Sequence, residues 1–366
     1  MKQGKARAIA ALIRQKIEDG EYGAENPLPS VRTLVRTYSI AHSTAHRVLN
    51  ELSAMGLVRT RRGAGTFVER VNRTIGLAIP GTADSEFFSA IMEGIVNNCS
   101  KYGMDLVAGG AFAVDHDLRD EQAQKIARHF AATGVAGVIM QPVGFSESAN
   151  RLNEAISRVL DDAGIPVVLI DYDIVPPPAR SRYDLVTIDN MAAGRKLAAH
   201  LIDAGAKRIC CLLRRLCADS VHVRFAGVDE GVFRATGRHS TTIVAEPDDR
   251  KAIAAALARH RPDAIVCSND IAAGILAGTL AKLKVRIPED VMLAGFDDVK
   301  LAGEMKPSLT SIRQPCAEIA SAAFRTLLER IRNPQLPPRQ ILLDTTLVVR
   351  ESTRRRRDEC GNAGEV

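Results

Sequence analysis

The stretch that most constrains this chain is its first seventy residues. There Leu28-Pro29-Ser30-Val31-Arg32 leads into a helical pattern ending at Gly56-Leu57-Val58, followed by Arg61-Arg62-Gly63-Ala64-Gly65-Thr66-Phe67-Val68. Apolar Ile9, Leu12, Ile13 and Ile17 recur at three- and four-residue spacing, which predicts a first helix with one buried face, stopped near Gly20. Pro27 and Pro29 break the chain, and Ser30 can cap a second helix that turns Val31, Leu34 and Val35 inward. Ile40 ends the short turn, and a third helix places Ala45, Val48, Leu49 and Leu52 on its core side. Its opposite face carries His42, Ser43, His46 and Arg47, all hydrogen-bonding side chains. After Gly56, the β-favouring residues on either side of a basic, glycine-containing tip predict a hairpin. Three short helices and a hairpin of this kind make an α+β winged helix-turn-helix.

A helix with that polar face fits the major groove, where base edges present distinct donor and acceptor patterns. The hairpin tip is then expected beside phosphates or in the minor groove. Charge agrees with double-stranded DNA as the partner. Up to Arg73 there are thirteen Lys and Arg against six Asp and Glu, a net of about +7, while the whole chain is formally +6. The positive charge is therefore local to the segment with the helical pattern and the wing.

Nearly three hundred of the 366 residues remain, enough for one large or two smaller α/β units with their own core. Arg14 and Lys16 interrupt the only early apolar helix, so neither a signal peptide nor a membrane span is expected, and the chain is expected in the cytoplasm. Seven cysteines are an odd number and form no pair of Cys-x-x-Cys knuckles. Cys211 falls in an apolar run, where a thiol behaves as a small hydrophobe, so no metal and no cofactor is expected.

From Arg73 onward buried strands alternate with helices. Ile75–Pro80 reads as a strand, followed by a helix from about Phe87 to Tyr102, and then strands at Asp105–Val107, Val138–Met140 and Val167–Ile170. A second set follows at Leu185–Ile188, Arg208–Leu213, Thr242–Val244, Ala264–Cys267 and Val291–Phe296. Such alternation predicts parallel sheets covered on both faces, arranged as two doubly wound halves rather than one very wide sheet. Ligands of such folds bind outside the carboxyl ends of the strands. Those ends carry Asp171, then Asn269 with Asp270, then Asp297 with Asp298, while Arg224 and Gln314 are expected on neighbouring connections. Each Asp or Asn taken singly is as well explained as a helix cap. Together they form a set of acceptors, an amide and a guanidinium suited to a polyhydroxylated molecule.

Residues 6 to 68 resemble the winged-helix domain of the GntR family of bacterial transcription regulators, through the Leu-Pro-Ser-x-Arg segment, Thr44 and the Gly-x-Gly-Thr-Phe-Val wing. The resemblance implies that Arg32, Thr44 and the wing tip contact DNA. The candidate DNA-contacting set is Arg32, His42, Ser43, Thr44, His46, Arg47, Arg61, Arg62, Gly63 and Gly65. The chain departs from the family at the start of the recognition helix, where it reads Ala41, His42, Ser43, Thr44, Ala45, His46. Ala41 cannot cap as Ser does, which leaves Ser43 as a shifted cap. Two histidines in place of arginines remove the guanidinium fork that reads guanine, so the operator is expected to be unusual.

Residues 74 to 353 resemble the effector-binding domain of the LacI family, itself similar to periplasmic sugar-binding proteins. The matching segments include Thr74-Ile75-Gly76-Leu77, Gly164-Ile165-Pro166-Val167-Val168 to Asp171, Ile188-Asp189-Asn190, Ser268-Asn269-Asp270, Gly295-Phe296-Asp297-Asp298 and Leu309–Pro315. The resemblance implies two lobes, about 74–187 with 314–342 and about 188–313 with 343–353, crossing near Ile188, Arg313 and Leu343. A winged helix over 1–70 and a linker over 71–73 precede them, and a tail over 354–366 is expected to be disordered. Carried over residue by residue, the sugar-binding positions are Asp171, Arg224, Asn269, Asp297 and Gln314, with Phe87, Phe88 and Tyr172 as an apolar wall.

The order of parts resembles arabinose-responsive repressors. It implies a regulator, most simply a repressor, whose operator binding responds to a monosaccharide, working as a homodimer. The same architecture sensing a nucleobase, or acting as an activator, stays open. The polar segment Glu69-Arg70-Val71-Asn72-Arg73 is too short for the hinge helix that LacI-type proteins use, so lobe closure is expected to act on the spacing of two wings. An enzyme is the poorest reading, because Gly63-x-Gly65 precedes no βαβ unit and there is no Gly-Lys-Ser/Thr phosphate loop.

Overall fold

The computed structural model describes residues 2–18, 21–22, 28–54, 57–61, 65–68, 73–79, 86–109, 116–144 and 149–354. Its contacts divide the chain into two compact units, Met1–Arg73 and Thr74–Val366. The wing-tip residues Arg62 and Gly63, the stop at Gly20, the linker residues 71 and 72 and the tail beyond Arg354 lie outside the described residues.

In the first unit, α1 (Lys2–Glu18), α2 (Val31–Tyr38) and α3 (His42–Ala54) enclose a core of Ala6, Ile9, Ala10, Ile13, Leu34, Ala45, Val48 and Leu52. Leu12, expected on the buried face of α1, is instead 48% exposed. Ala6 and Ala10 take its place, because small side chains let α1 lie close against α3. Ser30 caps α2, its hydroxyl accepting from Thr33 N at 3.2 Å. Strands β1 (Val58–Arg61) and β2 (Gly65–Val68) pair antiparallel, and Leu28 N donates to Thr66 O at 2.6 Å, tying the turn before α2 to the wing.

The second unit holds two six-stranded sheets. One has the order β13-β7-β6-β5-β3-β4, built from β3 (Thr74–Ala78), β4 (Asp105–Gly109), β5 (Gly137–Met140), β6 (Val167–Ile170), β7 (Asp184–Ile188) and β13 (Gln340–Leu343), all parallel. Helices α4 (Glu86–Tyr102), α5 (His116–Thr133), α6 (Ala149–Asp162) and α12 (Cys316–Arg332) belong to this lobe. The other sheet has the order β14-β12-β11-β10-β8-β9, from β8 (Ile209–Leu213), β9 (Thr241–Val244), β10 (Ala264–Cys267), β11 (Met292–Asp297), β12 (Thr310–Arg313) and an antiparallel edge strand β14 (Thr346–Val348). Helices α7 (Asn190–Asp203), α8 (Asp219–Thr236), α9 (Arg250–His260), α10 (Asp270–Lys282) and α11 (Lys300–Glu304) accompany it. The chain passes between the sheets after Ile188, after Arg313 and after Leu343.

Strands β12, β13 and β14 lie outside the two runs of strands legible from apolar pattern. Each is short, and β13 and β14 sit at sheet edges, where one side chain in two faces water and the apolar signal is diluted. Asp184, fully buried at the start of β7, is held by Arg330 Nη2 at 2.9 Å and Arg339 Nε at 3.3 Å, which binds α12 and β13 to that edge. Asp298 is held similarly, by Arg313 and Arg350 at 2.6 Å each, so a carboxylate and two guanidiniums stitch together the segments next to the second and third crossings.

Candidate nucleic-acid interface and ligand cleft

The core side of α3 faces inward through Ala45, Val48 and Leu52, with Leu49 half-buried, which leaves His42, Ser43, His46 and Arg47 exposed on the other side. Arg32, at the second position of α2, is exposed, and Thr44 is half-buried. The helix begins at His42, with Ala45 N donating to Ala41 O at 3.0 Å. Ser43 therefore lies inside the first turn and is not the shifted cap expected from sequence. Gly65 opens β2 with φ +113°, a backbone angle that suits a residue without a side chain. Arg61 ends β1, and its strand is in register with Gly65.

In the second unit, polar side chains from both lobes converge where the carboxyl ends of β5, β6, β10 and β11 meet the start of α8. Arg224 lies in α8, not on a connection as expected, and is only 4% exposed. Its Nη1 donates to Ser268 O at 2.6 Å, its Nε to Asn190 Oδ1 at 3.1 Å, and its guanidinium stands 4.3 Å from the Phe296 ring centroid. Asp171 follows β6 with φ +74°, and Thr187 Oγ1 donates to its carbonyl at 2.5 Å. Asp297 ends β11 with φ +102°, and Gln314 Nε2 donates to its Oδ1 at 2.6 Å. Left-handed backbone at two non-glycine residues costs of order 1 kcal/mol each, and such strain gathers at sites of function.

Burial sets the electrostatics. It pushes the Asp171 carboxyl up to about 6, opposed by the Arg224 guanidinium and reinforced by the negative charge of Asp297. Burial also raises Asp297, again opposed by Arg224 and by the Gln314 hydrogen bond. The same desolvation lowers Arg224 from its ordinary value, and Asp297, Asp171 and Asp270 work against it. One buried guanidinium thus offsets the charge of two desolvated carboxylates, one from each lobe. The Ser220 hydroxyl, near the start of α8 in the other lobe, also works to hold the Asp171 carboxyl down.

Other predicted site residues have different work. The side-chain oxygen of Asn269 accepts from Ala272 N at 2.8 Å and caps α10, so this part of the residue is occupied by its own helix. Asp270 is wholly buried, accepting from Ser311 Oγ at 2.6 Å and Val299 N at 3.0 Å. Tyr172 is buried and donates to Pro142 O at 2.8 Å, a strut under the segment after β5 rather than an open wall. Phe87 lies in the apolar core, with Phe88 packed edge-on at 4.8 Å and half-buried. A phenylalanine pair at the first turn of an amphipathic helix has one ring turned inward by the helical period alone.

Sequence reasoning missed Gln141, Asn190 and Ser220 as members of the cluster. Gln141 directly follows β5, and its Nε2 lies 3.4 Å from Asp171 Oδ2. A strand-end position was the available signal for Gln141; none marked Ser220, which depends on how α8 crosses α7. Among the described residues there is no group of three or more His, Cys, Asp or Glu placed to hold a metal ion. No described helix is long and apolar enough to cross a membrane.

Comparison with known proteins agrees with the division into two units. Residues 5–68 match the bacterial regulatory proteins of the gntR family, and residues 198–353 match the periplasmic binding protein-like domain. The HTH-type transcriptional repressor PurR of Vibrio vulnificus (strain CMCP6) is 28% identical over 328 residues, covering 87% of this chain and 92% of that protein. The HTH-type transcriptional regulator CelR of Thermobifida fusca is 26% identical over 324 residues, covering 86% and 90%. Among solved structures, a transcriptional regulator CelR–cellobiose complex superimposes with a TM-score of 0.64 at 23% identity, over 86% of this chain and 91% of that one. A LacI family transcriptional regulator from Enterococcus faecium with bound ribose gives 0.61 at 23% identity, over 76% and 98%. The chain joins a GntR-type helix-turn-helix domain to a periplasmic-binding-protein-like α/β domain, and its relatives are transcription regulators, not enzymes.

Proposed function

We propose that this chain, a GntR-type DNA reader joined to a periplasmic-binding-protein-like sensor, is a transcriptional repressor whose operator binding is set by a monosaccharide or related sugar. The observation that carries the reading is the buried cluster of Asp171, Arg224, Asp297 and Gln314, assembled from both lobes at the carboxyl ends of parallel strands. Two carboxylates and an amide accept from hydroxyls, and the guanidinium donates back, which suits a ring bearing several hydroxyl groups. Cellobiose and ribose in structurally similar regulators support a sugar. Because the donors and acceptors come from both lobes, a ligand that bridges them favours one lobe arrangement over others, and that differential affinity is what couples ligand to DNA.

The exposed His42, Ser43, His46 and Arg47 face of α3 is the reader, with Arg32 and the wing beside it. Histidines in place of forked arginines shift the preferred operator away from guanine-rich half-sites. The working form is a homodimer on a pseudo-palindromic site in the cytoplasm. Exposed Ile271 and Ile275, one turn apart on α10, and Val96 on α4 supply apolar surface suited to self-association.

The test is selection of bound DNA from a random pool, followed by anisotropy titrations of the selected site with and without each member of an aldose panel. One sugar should change operator affinity roughly 5- to 150-fold. Equal affinity with every sugar at saturation, as judged by calorimetry, removes the coupling, and no calorimetric binding by any sugar removes the sugar.

A further inference from the structure

The third passage of the chain between the lobes is the middle one in space. Leu343, the last residue of β13, is paired with Ile188 at the end of β7, and Thr346, the first residue of β14, is paired with Arg313 at the end of β12. The first crossing therefore runs along one side of it and the second along the other. Only Asp344 and Thr345 lie between the two paired strands. Any rotation of one lobe against the other has to be absorbed here by the backbone angles of these two residues.

One side chain from elsewhere in the chain grips them, among the described residues. Lys196, in the second turn of α7, donates through Nζ to the Thr345 carbonyl and, at 3.0 Å, to Asp344 Oδ1. The same oxygen accepts from Thr345 N at 2.7 Å, and these hydrogen bonds, that from Lys196 foremost, hold the Asp344 carboxyl below the usual carboxylate range. Both backbone polar groups of Thr345 are thus engaged, whereas its hydroxyl is buried with no hydrogen-bond partner among the described residues. The Lys196–Asp344 pair alone would contribute little, because Asp344 is 82% exposed. The bond to the carbonyl is different in kind: it fixes the backbone of a residue that is only 5% exposed, at the point where the lobes must turn.

Helix α7 is a firm base for this grip. Asp189 caps it by accepting from Ala192 N at 2.8 Å, and Asp189 N donates to Leu343 O at 3.0 Å, which ties the first crossing to the third. Lys196 therefore sets the direction in which the third crossing leaves the first. The lobe arrangement held in this way is a closed one. Glu86 of the first lobe reaches Lys300 N of the second at 2.6 Å, and Arg224 and Ser220 of the second lobe act on the Asp171 carboxyl of the first.

We propose that Lys196 is a positioning residue of the sensor, a latch on the third crossing that holds the lobes closed and so strengthens the binding of a ligand from outside the cluster of Asp171, Arg224 and Asp297. This rests on the reading of that cluster as a sugar site, and adds the residue that sets how much of the ligand-free protein is already closed. A ligand that binds the closed form pays with part of its affinity when that form is less populated.

The experiment compares the full chain with Lys196→Met, which keeps the length of the side chain without its charge or donors, and Lys196→Arg, which keeps both. Without ligand, hydrogen exchange at the Asp189 and Thr345 amides should quicken in Lys196→Met while the middle of α7 stays protected, and X-ray scattering should give a larger radius of gyration. Calorimetry with D-ribose, D-xylose, L-arabinose, D-glucose, D-galactose and cellobiose should show the sugar that binds held roughly 3- to 10-fold more weakly by Lys196→Met, at unchanged stoichiometry, and within about twofold of the unsubstituted affinity by Lys196→Arg. At saturation the scattering of all three proteins should coincide. Unchanged exchange at the crossing overturns the proposal, as does exchange that rises along all of α7, which would mark Lys196 as a support of its own helix. Equal losses in the Met and Arg variants also overturn it. If no sugar binds the unsubstituted protein, the sugar reading fails, and exchange and scattering without ligand alone judge the latch.

Discussion

Gly194 of α7 and Gly227 of α8 let the two helices meet backbone to backbone. A Cβ at Gly194 would lie 2.2 Å from the Arg224 carbonyl oxygen, and one at Gly227 would lie 2.2 Å from that of Met191. This close crossing brings Arg224 within reach of Asn190, the first residue of α7, and so sets the place of the guanidinium whose charge acts on Asp171 and Asp297. The glycines bring no side chain to the cleft, yet they set where the central cation stands.

Gly194→Ala and Gly227→Ala should each force the helices apart. Overpacking of this kind costs about 1–3 kcal/mol, and here the atoms that a Cβ would meet are backbone atoms that cannot rotate away. Urea unfolding is expected to show the loss, and calorimetry a weakened ligand response in the folded fraction. Ligand affinity unchanged in both variants would show that the crossing does not position Arg224.

Asp270 should make the sensor more stable in mild acid than in mild base. Burial, followed by the negative charge of Asp297, raises its carboxyl from 3.8 to about 8, so between these values the folded state holds a proton that the unfolded chain releases. Its contribution is therefore complete below about pH 4 and is lost as pH rises toward 8. Asp171, raised to about 6, adds the same sign over a narrower window. Asp270→Asn should flatten the fall in melting temperature between pH 5 and pH 8, and an identical slope in the variant would contradict this account.

Glu86, the first residue of α4, accepts from the backbone N of Lys300 at 2.6 Å, joining the first lobe to the start of α11 in the second. The contact is exposed, so its net worth is about 0.5–1.5 kcal/mol. Glu86→Ala is expected to weaken ligand binding by several-fold and to enlarge the radius of gyration of the ligand-free sensor in X-ray scattering. Glu86→Gln, which keeps an acceptor, should lie between the two.

Arg47 and Arg32 should carry part of the salt dependence of operator binding. Each phosphate contact removed lowers the slope of log affinity against log salt by about 0.9. Arg47→Ala and Arg32→Ala are expected to weaken all operators together, and a loss confined to one base position would assign the residue to base reading instead.

Local pattern carried much of this architecture. Ile9 and Ile13 in α1, the Ser30 cap and the apolar runs at β5, β6, β8 and β10 are legible because each depends on neighbours within a few residues, which is the range of helical and strand periodicity. Leu12 shows the limit of that range. It has the right period and the right chemistry, but Ala6 and Ala10 fill the contact with α3, and only the approach of a second helix reveals it.

The sequence by itself determined that a basic winged helix precedes two doubly wound sheets, and that carboxylates and amides stand at their strand ends. Only the tertiary structure decided which of those groups are free to bind. Asn269 offers its oxygen to α10, Asp270 is consumed by Ser311 and Val299, and Gln141 keeps an acceptor unpaired beside Asp171. The reason is physical: a side chain's protonation and hydrogen bonds depend on its distance to groups such as Arg224, far away along the chain. Those distances come from how α7, α8 and the two sheets pack, which no local spacing encodes.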